Sequence, residues 1–358
     1  MSRSMPPRRG RFALGAIVAL AVIAGPGAAG AMADPGAVYT QTNDPAGNHV
    51  QAFDRDARGE LTPAGTFATG GAGLAALGGR QGAVELSGDE STVYAVNAGS
   101  NSVSAFRITR DGLALSGVEG SGGIAPASVD EDHGRVYVLN SGGTPNVTAF
   151  RAARDGSLEA IPGGTRELPG ALGAAQVSVA PGGKALVVSE RLSNRLETLP
   201  LDAAGRPGAP VITASSGAVP FGFGFGHRGD VVVSEAGAST VSSYRLGAGG
   251  LDLVSGSRPV GFGAACWVAV SPTGKLAYTG NASGSISGFA IARDGSLDPI
   301  GTIPMPAPRD LGFSRNGRYL YAVGATGRVT GYRVDSGGAL EQVTSVPSAA
   351  GITGIATG

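Results

Sequence analysis

The sequence predicts an all-β fold built from similar units, and three observations support this. Glycine accounts for 62 of the 358 residues, and it costs about 1 kcal/mol relative to alanine inside a helix, so long helices are not expected. Apolar residues make up 42% of the chain and charged residues only 15%, a composition that excludes an intrinsically disordered chain. Finally, one pattern of strands and turns recurs along the whole sequence.

The recurring pattern is clearest in residues 93–112. An apolar strand at 93–97 is followed by a small polar turn, an alternating strand that ends in Phe106-Arg107, and an Asp-Gly turn. A period of about 40–50 residues with four short strands is typical of a propeller blade. The sequence therefore predicts a seven-bladed β-propeller, because one large apolar residue marks each unit at intervals of 43 to 53 residues, at Phe53, Phe106, Phe150, Leu199, Tyr244, Phe289 and Tyr332.

The two ends of the propeller sequence complement each other. The first unit begins directly with its second strand, at residues 37–40, and the missing innermost strand occurs only at residues 351–356. We therefore expect the C-terminal strand to complete the first blade and close the ring. Closure removes open sheet edges, which otherwise promote aggregation.

Residues 1–33 have the features of a secretory signal peptide. They contain four arginines and no acidic residue, then an apolar run at 12–25 and the string Ala-Met-Ala at 31–33. The run is shorter than the roughly 20 residues that a membrane-spanning helix needs. We predict cleavage near Ala33, a single propeller domain at 34–358, a secreted or periplasmic location, and no transmembrane span after cleavage.

The charge balance limits the possible partners. The chain has 27 basic and 27 acidic residues, so loss of the four N-terminal arginines leaves 23 against 27, a net charge of −4. No basic cluster remains, which argues against nucleic acid as a partner. We expect a monomer whose partner is a small molecule or a ligand bound at its surface.

Polar residues collect at one mouth of the predicted channel, because loops that enter innermost strands and loops that leave second strands share a face. Two interpretations stay open for the glutamates and asparagines. Paired carboxylates near an arginine can divide acid and base roles, or the side chains cap strand ends and bond to loop amides. Trp267 could form the floor of a pocket or pack in the core. The residues at this mouth are Gln81, Asn97, Asn140, Gln176, Glu190, Glu235, Trp267 and Asp310, with Arg80 and Arg309 beside the starts of the innermost strands.

The histidines and the single cysteine indicate no conventional catalytic centre. His133 and His227 fall in turns on the opposite face, and His49 precedes an outer strand, so a histidine metal site or a Ser-His-Asp triad is not expected. Cys266 is expected to be a buried apolar filler. We predict no cofactor and no metal site, with one alternative open: a divalent cation such as Ca²⁺ bound by asparagine and glutamate oxygens at the mouth.

Several strings resemble the lactonase-like seven-bladed propellers. These are Asn-Asp-Pro-Ala-Gly-Asn at 43–48, Asn-Ala-Gly-Ser-Asn at 97–101, and the repeated Phe-Arg and Asp-Gly pairs. That family includes propeller-type 6-phosphogluconolactonases and carboxymuconate-lactonizing cyclases. The resemblance implies a mouth built from a histidine, arginines and a glutamate. Glu190 and Arg309 fit two of these positions, whereas Ala174-Ala175-Gln176 stands where a Pro-Arg-His string is expected.

The resemblance implies a lactone hydrolase or cycloisomerase acting on a small carboxylated or sugar lactone. In this hypothesis Arg309 binds a carboxylate with both arms of its guanidinium. Glu190 acts as general base, and Glu235 or Gln176 orients the reacting group. Gln81, Asn97, Asn140, Trp267 and Asp310 contact the substrate. The alternative is a non-catalytic exported propeller that binds a protein, a glycan or a small ligand on one face, because one fold hosts many functions.

Overall fold

The computed structural model describes residues 1–2, 36–75 and 80–358. The predicted signal peptide, apart from its first two residues, lies outside this part of the chain. The described residues form seven antiparallel sheets of four strands each, so the predicted seven-bladed β-propeller is confirmed. In the described part of the chain, no helix has the length and hydrophobicity needed to span a membrane.

Each of the first three blades follows the strand order expected from the repeats, with one hairpin leading to the next. Blade 1 contains β1 (Gly36–Gln41), β2 (His49–Arg55), β3 (Leu61–Ala68) and the last strand, β28 (Thr353–Thr357). Blade 2 contains β4 (Val84–Leu86), β5 (Thr92–Asn97), β6 (Ser102–Thr109) and β7 (Gly112–Gly120), and blade 3 contains β8 (Ile124–Asp132), β9 (Arg135–Gly142), β10 (Asn146–Ala152) and β11 (Leu158–Glu167).

The other four blades repeat this order without interruption. Blade 4 contains β12 (Ala174–Val179), β13 (Ala185–Glu190), β14 (Arg195–Pro200) and β15 (Val211–Ala214), and blade 5 contains β16 (Pro220–Phe225), β17 (Asp230–Glu235), β18 (Thr240–Gly247) and β19 (Gly250–Pro259). Blade 6 contains β20 (Ala265–Val270), β21 (Leu276–Asn281), β22 (Ser285–Ile291) and β23 (Leu297–Pro304), and blade 7 contains β24 (Pro308–Phe313), β25 (Tyr319–Gly324), β26 (Arg328–Val334) and β27 (Leu340–Pro347).

The innermost strands contact one another around a closed ring. The ring closes as predicted, because β28 pairs with β1 and supplies the innermost strand of blade 1. Ile352 and Ile355 of this C-terminal segment are buried, and the Thr40 hydroxyl donates a hydrogen bond of 2.7 Å to the Gly354 carbonyl. The chain is therefore held together where its first and last strands meet.

The hydrophobic core is divided among the interfaces between neighbouring blades. Seven clusters of buried apolar side chains occur among the described residues, and each joins neighbouring blades, such as blades 3 and 4 or blades 7 and 1. One blade cannot bury both of its faces, so stacking in a ring is what removes them from water. The loops that enter the innermost strands then meet at one end of the central channel, which we call the mouth.

Candidate functional site

In five blades a polar residue at or near the end of the second strand points its side chain into the blade. These residues are fully buried, and each lies opposite the first residue of the third strand. The shared position ties the loop between the two strands to the sheet. It is occupied by Asn97, Asn140, Glu190, Glu235 and Asn281.

The two predicted asparagines hold loops inside their own blades. The Asn97 amide donates to the hydroxyls of Ser102 and Ser104, at 3.2 and 2.7 Å. The Asn140 amide donates to the Ser121 carbonyl at 2.8 Å and to the Asn146 side chain at 2.9 Å. These contacts agree with the interpretation that the asparagines cap strand ends and bond to neighbouring loops.

Glu190 belongs to a buried ionic cluster within blade 4. Arg195 Nε donates to Glu190 Oε2 at 2.7 Å, and Ser193 donates to the same oxygen at 2.5 Å. Arg195 Nη2 also lies 2.7 Å from Glu197 Oε1. Two fully buried carboxylates thus share one guanidinium. Burial, assisted by Glu190, raises the pKa of Glu197 to about 8.

Glu235 has an equivalent position in blade 5 but only neutral partners. The hydroxyls of Thr240 and Ser242 donate to its carboxylate at 2.5 and 2.7 Å, and the Gly217 amide donates at 2.7 Å. Both predicted acid/base glutamates therefore have their oxygens engaged by the loops they hold. The structure does not bring Glu190 or Glu235 into contact with Arg309.

The two predicted glutamines line the central cavity, and each bonds to the backbone of another blade. Gln81, in the loop entering blade 2, accepts a hydrogen bond from the Val268 amide at 2.9 Å and donates to the Val268 carbonyl at 2.5 Å in blade 6. Gln176 of blade 4 pairs in the same way with Phe223 of blade 5, at 2.7 and 3.0 Å. Gly222 is required beside them, because a Cβ there would lie 2.0 Å from Gln81 Oε1. Together these side chains form a floor under the mouth.

A cavity of about 140 Å³ extends from this floor along the innermost strands. Three carboxyl groups line it: Glu85, Asp130 and Asp310. Burial raises the pKa of Asp130 to about 6 and the pKa values of Glu85 and Asp310 well above their ordinary range. Asp310 also accepts hydrogen bonds from the amides of Leu311 and Ile355, at 2.8 and 3.2 Å. Asp310 therefore links blades 7 and 1.

Arginines and aromatic rings surround the mouth itself. Arg191 lies 5.4 Å from the centre of the Phe221 ring, and Phe221 packs edge-on against Trp267 with centroids 5.8 Å apart. Arg80 Nη1 donates to the Ala174 carbonyl at 3.5 Å. Burial, assisted by the charge of Arg191, lowers the pKa of Arg80 to about 10, so this guanidinium remains protonated at neutral pH.

Cys266 is influenced by the charges of both Arg191 and Arg309. Burial raises the pKa of the Cys266 thiol to about 11, and the charges of Arg191 and Arg309 both oppose that rise. Both guanidinium groups therefore lie near the same thiol, which is buried as expected for an apolar filler. Arg309 also lines a surface pocket of about 300 Å³ at the mouth, together with Asp44.

The mouth carries uncompensated positive charge. Among the described residues, Arg80, Arg191 and Arg309 form no ion pair within 4.0 Å, and Arg80 Nε and Trp267 Nε1 are buried without a hydrogen-bond partner. Across residues 36–75 and 80–358, no group of three or more His, Cys, Asp or Glu side chains could hold a metal ion. Such a site can hold an anion by charge and planar hydrogen bonding.

Sequence reasoning identified Arg80 and Arg309 at this mouth but missed Arg191. The residue directly follows Glu190, the last residue of β13, so it begins the loop that faces the mouth. Its position was the available signal: it is a basic residue immediately after a second strand, in a loop predicted to face the mouth.

Comparison with known proteins agrees with this architecture. The family described as lactonase, seven-bladed beta-propeller, matches residues 44–162. The predicted resemblance to lactonase-like seven-bladed propellers is confirmed. No curated protein sequence matches the chain.

Solved structures show the same fold at low sequence identity. A "putative 6-phosphogluconolactonase" from Bacteroides fragilis superposes with a TM-score of 0.75 at 20% identity, covering 91% of this chain and 98% of that one. The periplasmic gluconolactonase of Pseudomonas aeruginosa gives a TM-score of 0.74 at 16% identity, covering 90% of this chain and 98% of that one. At these identities the likeness concerns the fold.

Proposed function

We propose that the mouth binds a small anionic lactone, or the hydroxy acid formed from it, and that the protein opens or closes the lactone ring. One observation carries this proposal: Arg80, Arg191 and Arg309 surround the mouth without an ion-pair partner among the described residues. The lactonase-like fold and its gluconolactonase neighbour support the choice of a lactone.

The arginines suit the charge that develops during ring opening. Water adds to the carbonyl carbon of the lactone, the ring carbon–oxygen bond breaks, and a proton passes from the water to the departing alkoxide. The carbonyl oxygen becomes negatively charged in the transition state, and a guanidinium fixed beside it stabilises that charge. Phe221 holds the Arg191 guanidinium against its ring, so the group is positioned before substrate arrives.

In this proposal the predicted glutamates act through the loops that they hold. Glu190 would serve as general base only if Arg195 and Ser193 released its carboxylate, since both contact the same oxygen. Gln81 and Gln176 form the floor on which the ligand rests, because their amides are paired with the backbone of blades 6 and 5. We therefore assign ligand contact to the arginines and to Phe221.

A second function, binding of a small anion without catalysis, is favoured by the same contacts. Glu190 and Glu235 are fully buried and engaged, so neither presents a free carboxylate at the mouth. An exported propeller that binds a carboxylate would need only the arginines. The two functions share a binding site and differ in whether the ligand is turned over.

One pair of assays separates these functions. Residues 34–358 would be tested for hydrolysis of plain sugar, phosphorylated and carboxylated lactones, and for calorimetric binding of gluconate. Arg191→Gln should abolish turnover or weaken binding at least tenfold, whereas Arg154→Gln, an exposed arginine on the opposite face, should change neither. Binding without turnover establishes the second function. No turnover and no binding of any ligand would refute both.

We also propose that the protein is exported, on the basis of the basic, apolar and small-residue segments within residues 1–33. Cell fractionation of the full chain, with N-terminal sequencing of the product, tests this. A product that begins near Asp34 outside the cytoplasm is expected, and an uncleaved chain in the cytoplasm would contradict it.

A further inference from the structure

The mouth face carries exposed apolar side chains beside the arginines. Leu192 is 66% exposed, Leu172 58% and Ile124 55%, although each is large enough to stabilise a core. We call Ile124, Leu172 and Leu192 the apolar rim. The other large apolar side chains exposed in residues 36–75 and 80–358 lie on outermost strands, except Phe262 at the mouth, so the described turns of the opposite face have none.

Leu172 and Leu192 of the apolar rim adjoin the anion site. The Leu192 amide donates to the Leu172 carbonyl at 3.0 Å, and Arg191 Nε donates to the next carbonyl, that of Gly173, at 3.2 Å. Leu192 also lies against Gly173, where a Cβ would be 3.0 Å from Leu192 Cγ. Ile124 begins the innermost strand of the neighbouring blade. A guanidinium and an apolar surface are thus held side by side by the same short segment.

The floor of the mouth, formed by Gln81 and Gln176, limits the directions in which a bound ligand can extend. Gln81 is bonded across the channel to blade 6 and Gln176 to the neighbouring blade 5. The cavity beyond them is lined by three buried carboxyl groups, and burying such polar groups against an aliphatic chain is unfavourable. A ligand whose head is bound by the arginines therefore cannot continue down the channel. The rest of it must leave over the mouth face, where blades 3 and 4 present the apolar rim.

We propose that the ligand of this site is an amphiphilic anion: a hydroxy acid or lactone whose polar head meets Arg191 and whose aliphatic chain lies on the apolar rim. The inference rests on the proposed function, since it uses the same arginine site and adds the class of ligand. Burial of hydrocarbon on the rim removes apolar surface of both partners from water, and this supplies affinity that a sugar acid lacks. The uncompensated arginines supply the complementary charge.

Calorimetry with a series of monomeric carboxylates tests the proposal. Hexanoate, octanoate and decanoate, each below its micellar concentration, would be compared with gluconate on the protein of residues 34–358. Affinity should rise about two- to fourfold for each methylene that is buried. The double variant Leu172→Ser and Leu192→Ser should lose this dependence on chain length while binding gluconate as before. The matched control Val211→Ser and Ile212→Ser, on the exposed outer strand β15, should keep it.

The outcomes separate the two proposals. Binding of gluconate with no dependence on chain length would overturn the amphiphilic ligand and leave the anion site standing. Failure of every carboxylate to bind would overturn the anion site itself. Equal loss in the outer-strand control would refute the rim as the place of contact. Sedimentation with phosphatidylglycerol vesicles, without binding of monomeric octanoate, would refute the small ligand and indicate a membrane surface.

Discussion

Replacing Glu197 by glutamine should remove a pH dependence of stability that arises inside blade 4. Glu190 and Glu197 are both fully buried and share the single cation Arg195. Ionisation of both carboxyl groups would leave a net negative charge in the interior, so one proton is retained and the pKa of Glu197 rises to about 8. Glutamine has the shape of the protonated acid and needs no proton.

The sign of the effect follows from the raised pKa. The folded protein keeps the Glu197 proton up to a pH of about 8, whereas the unfolded chain releases it near the ordinary value of 4.5. The free energy of unfolding therefore falls as pH rises between these values, and the contribution is complete only below the lower one. At about 1.4 kcal/mol for each pH unit the upper limit is about 5 kcal/mol. We expect about 2–3 kcal/mol, because the shared arginine also stabilises the ionised form.

Urea unfolding at pH 5, 6, 7 and 8 measures this directly. Trp267 is the single tryptophan of the chain and is buried, so its fluorescence reports unfolding. Glu197→Gln should match the parent protein at pH 5 and exceed its stability at pH 8, while Glu159→Gln, exposed on the outer strand β11, should follow the parent at every pH. If the free energy of unfolding changed with pH in the same way in the parent protein and in Glu197→Gln, the idea that Glu197 keeps its proton in the folded state would be refuted.

Three further changes test the ring, the floor and the buried cluster. Deleting residues 352–358 removes two buried isoleucines and should lower the free energy of unfolding by at least about 3 kcal/mol; an unchanged melting temperature in calorimetry would contradict closure by β28. Gly222→Ala places a Cβ 2.0 Å from Gln81 Oε1 and should cost about 1–3 kcal/mol in urea unfolding, whereas Gly120→Ala, with open space around it, should cost little. Arg195→Met leaves two buried carboxyl groups without their cation and should cost about 3–5 kcal/mol by the same measurement; a loss below about 1 kcal/mol would show that the cluster does not depend on its charge.

The fold could be predicted because its determinants are local and repeated. Alternation indicates the strands of each blade, and glycine-containing turns, with Asp-Gly or Pro-Gly pairs in four blades, separate them. Seven weak signals therefore reinforce one another. The first unit begins with its second strand, at residues 37–40, and an extra innermost strand occurs at residues 351–356; together these predicted closure. Counting strands in this way requires no knowledge of where side chains point.

The site could be predicted only in part, because side-chain direction depends on distant partners. The sequence predicted Glu190 at the end of a second strand, where β13 ends, but Arg195 and Ser193 turn its carboxylate into the blade. Gln81 bonds to Val268, which lies 187 residues further along the chain, and no local pattern shows a contact of that kind. The role of Arg191 could not be predicted for the same reason, because its neighbours Phe221 and Cys266 are distant in sequence and belong to other blades.

The pairing of the first strand with the last limits the order in which the blades can fold. Thr40 and Gly354 are hydrogen-bonded across 314 residues of chain, and closing a loop of that length costs about 3 kcal/mol more entropy than closing one of about ten residues. Blades 2 to 7 are assembled from hairpins, so they can form early, whereas blade 1 has to wait for the end of the polypeptide. Pulse-labelling hydrogen exchange during refolding should therefore protect the amides of β28 last, because β1 can pair early with β2 in a local hairpin. Early protection of the β28 amides would mean that the tail docks before the remaining blades have formed.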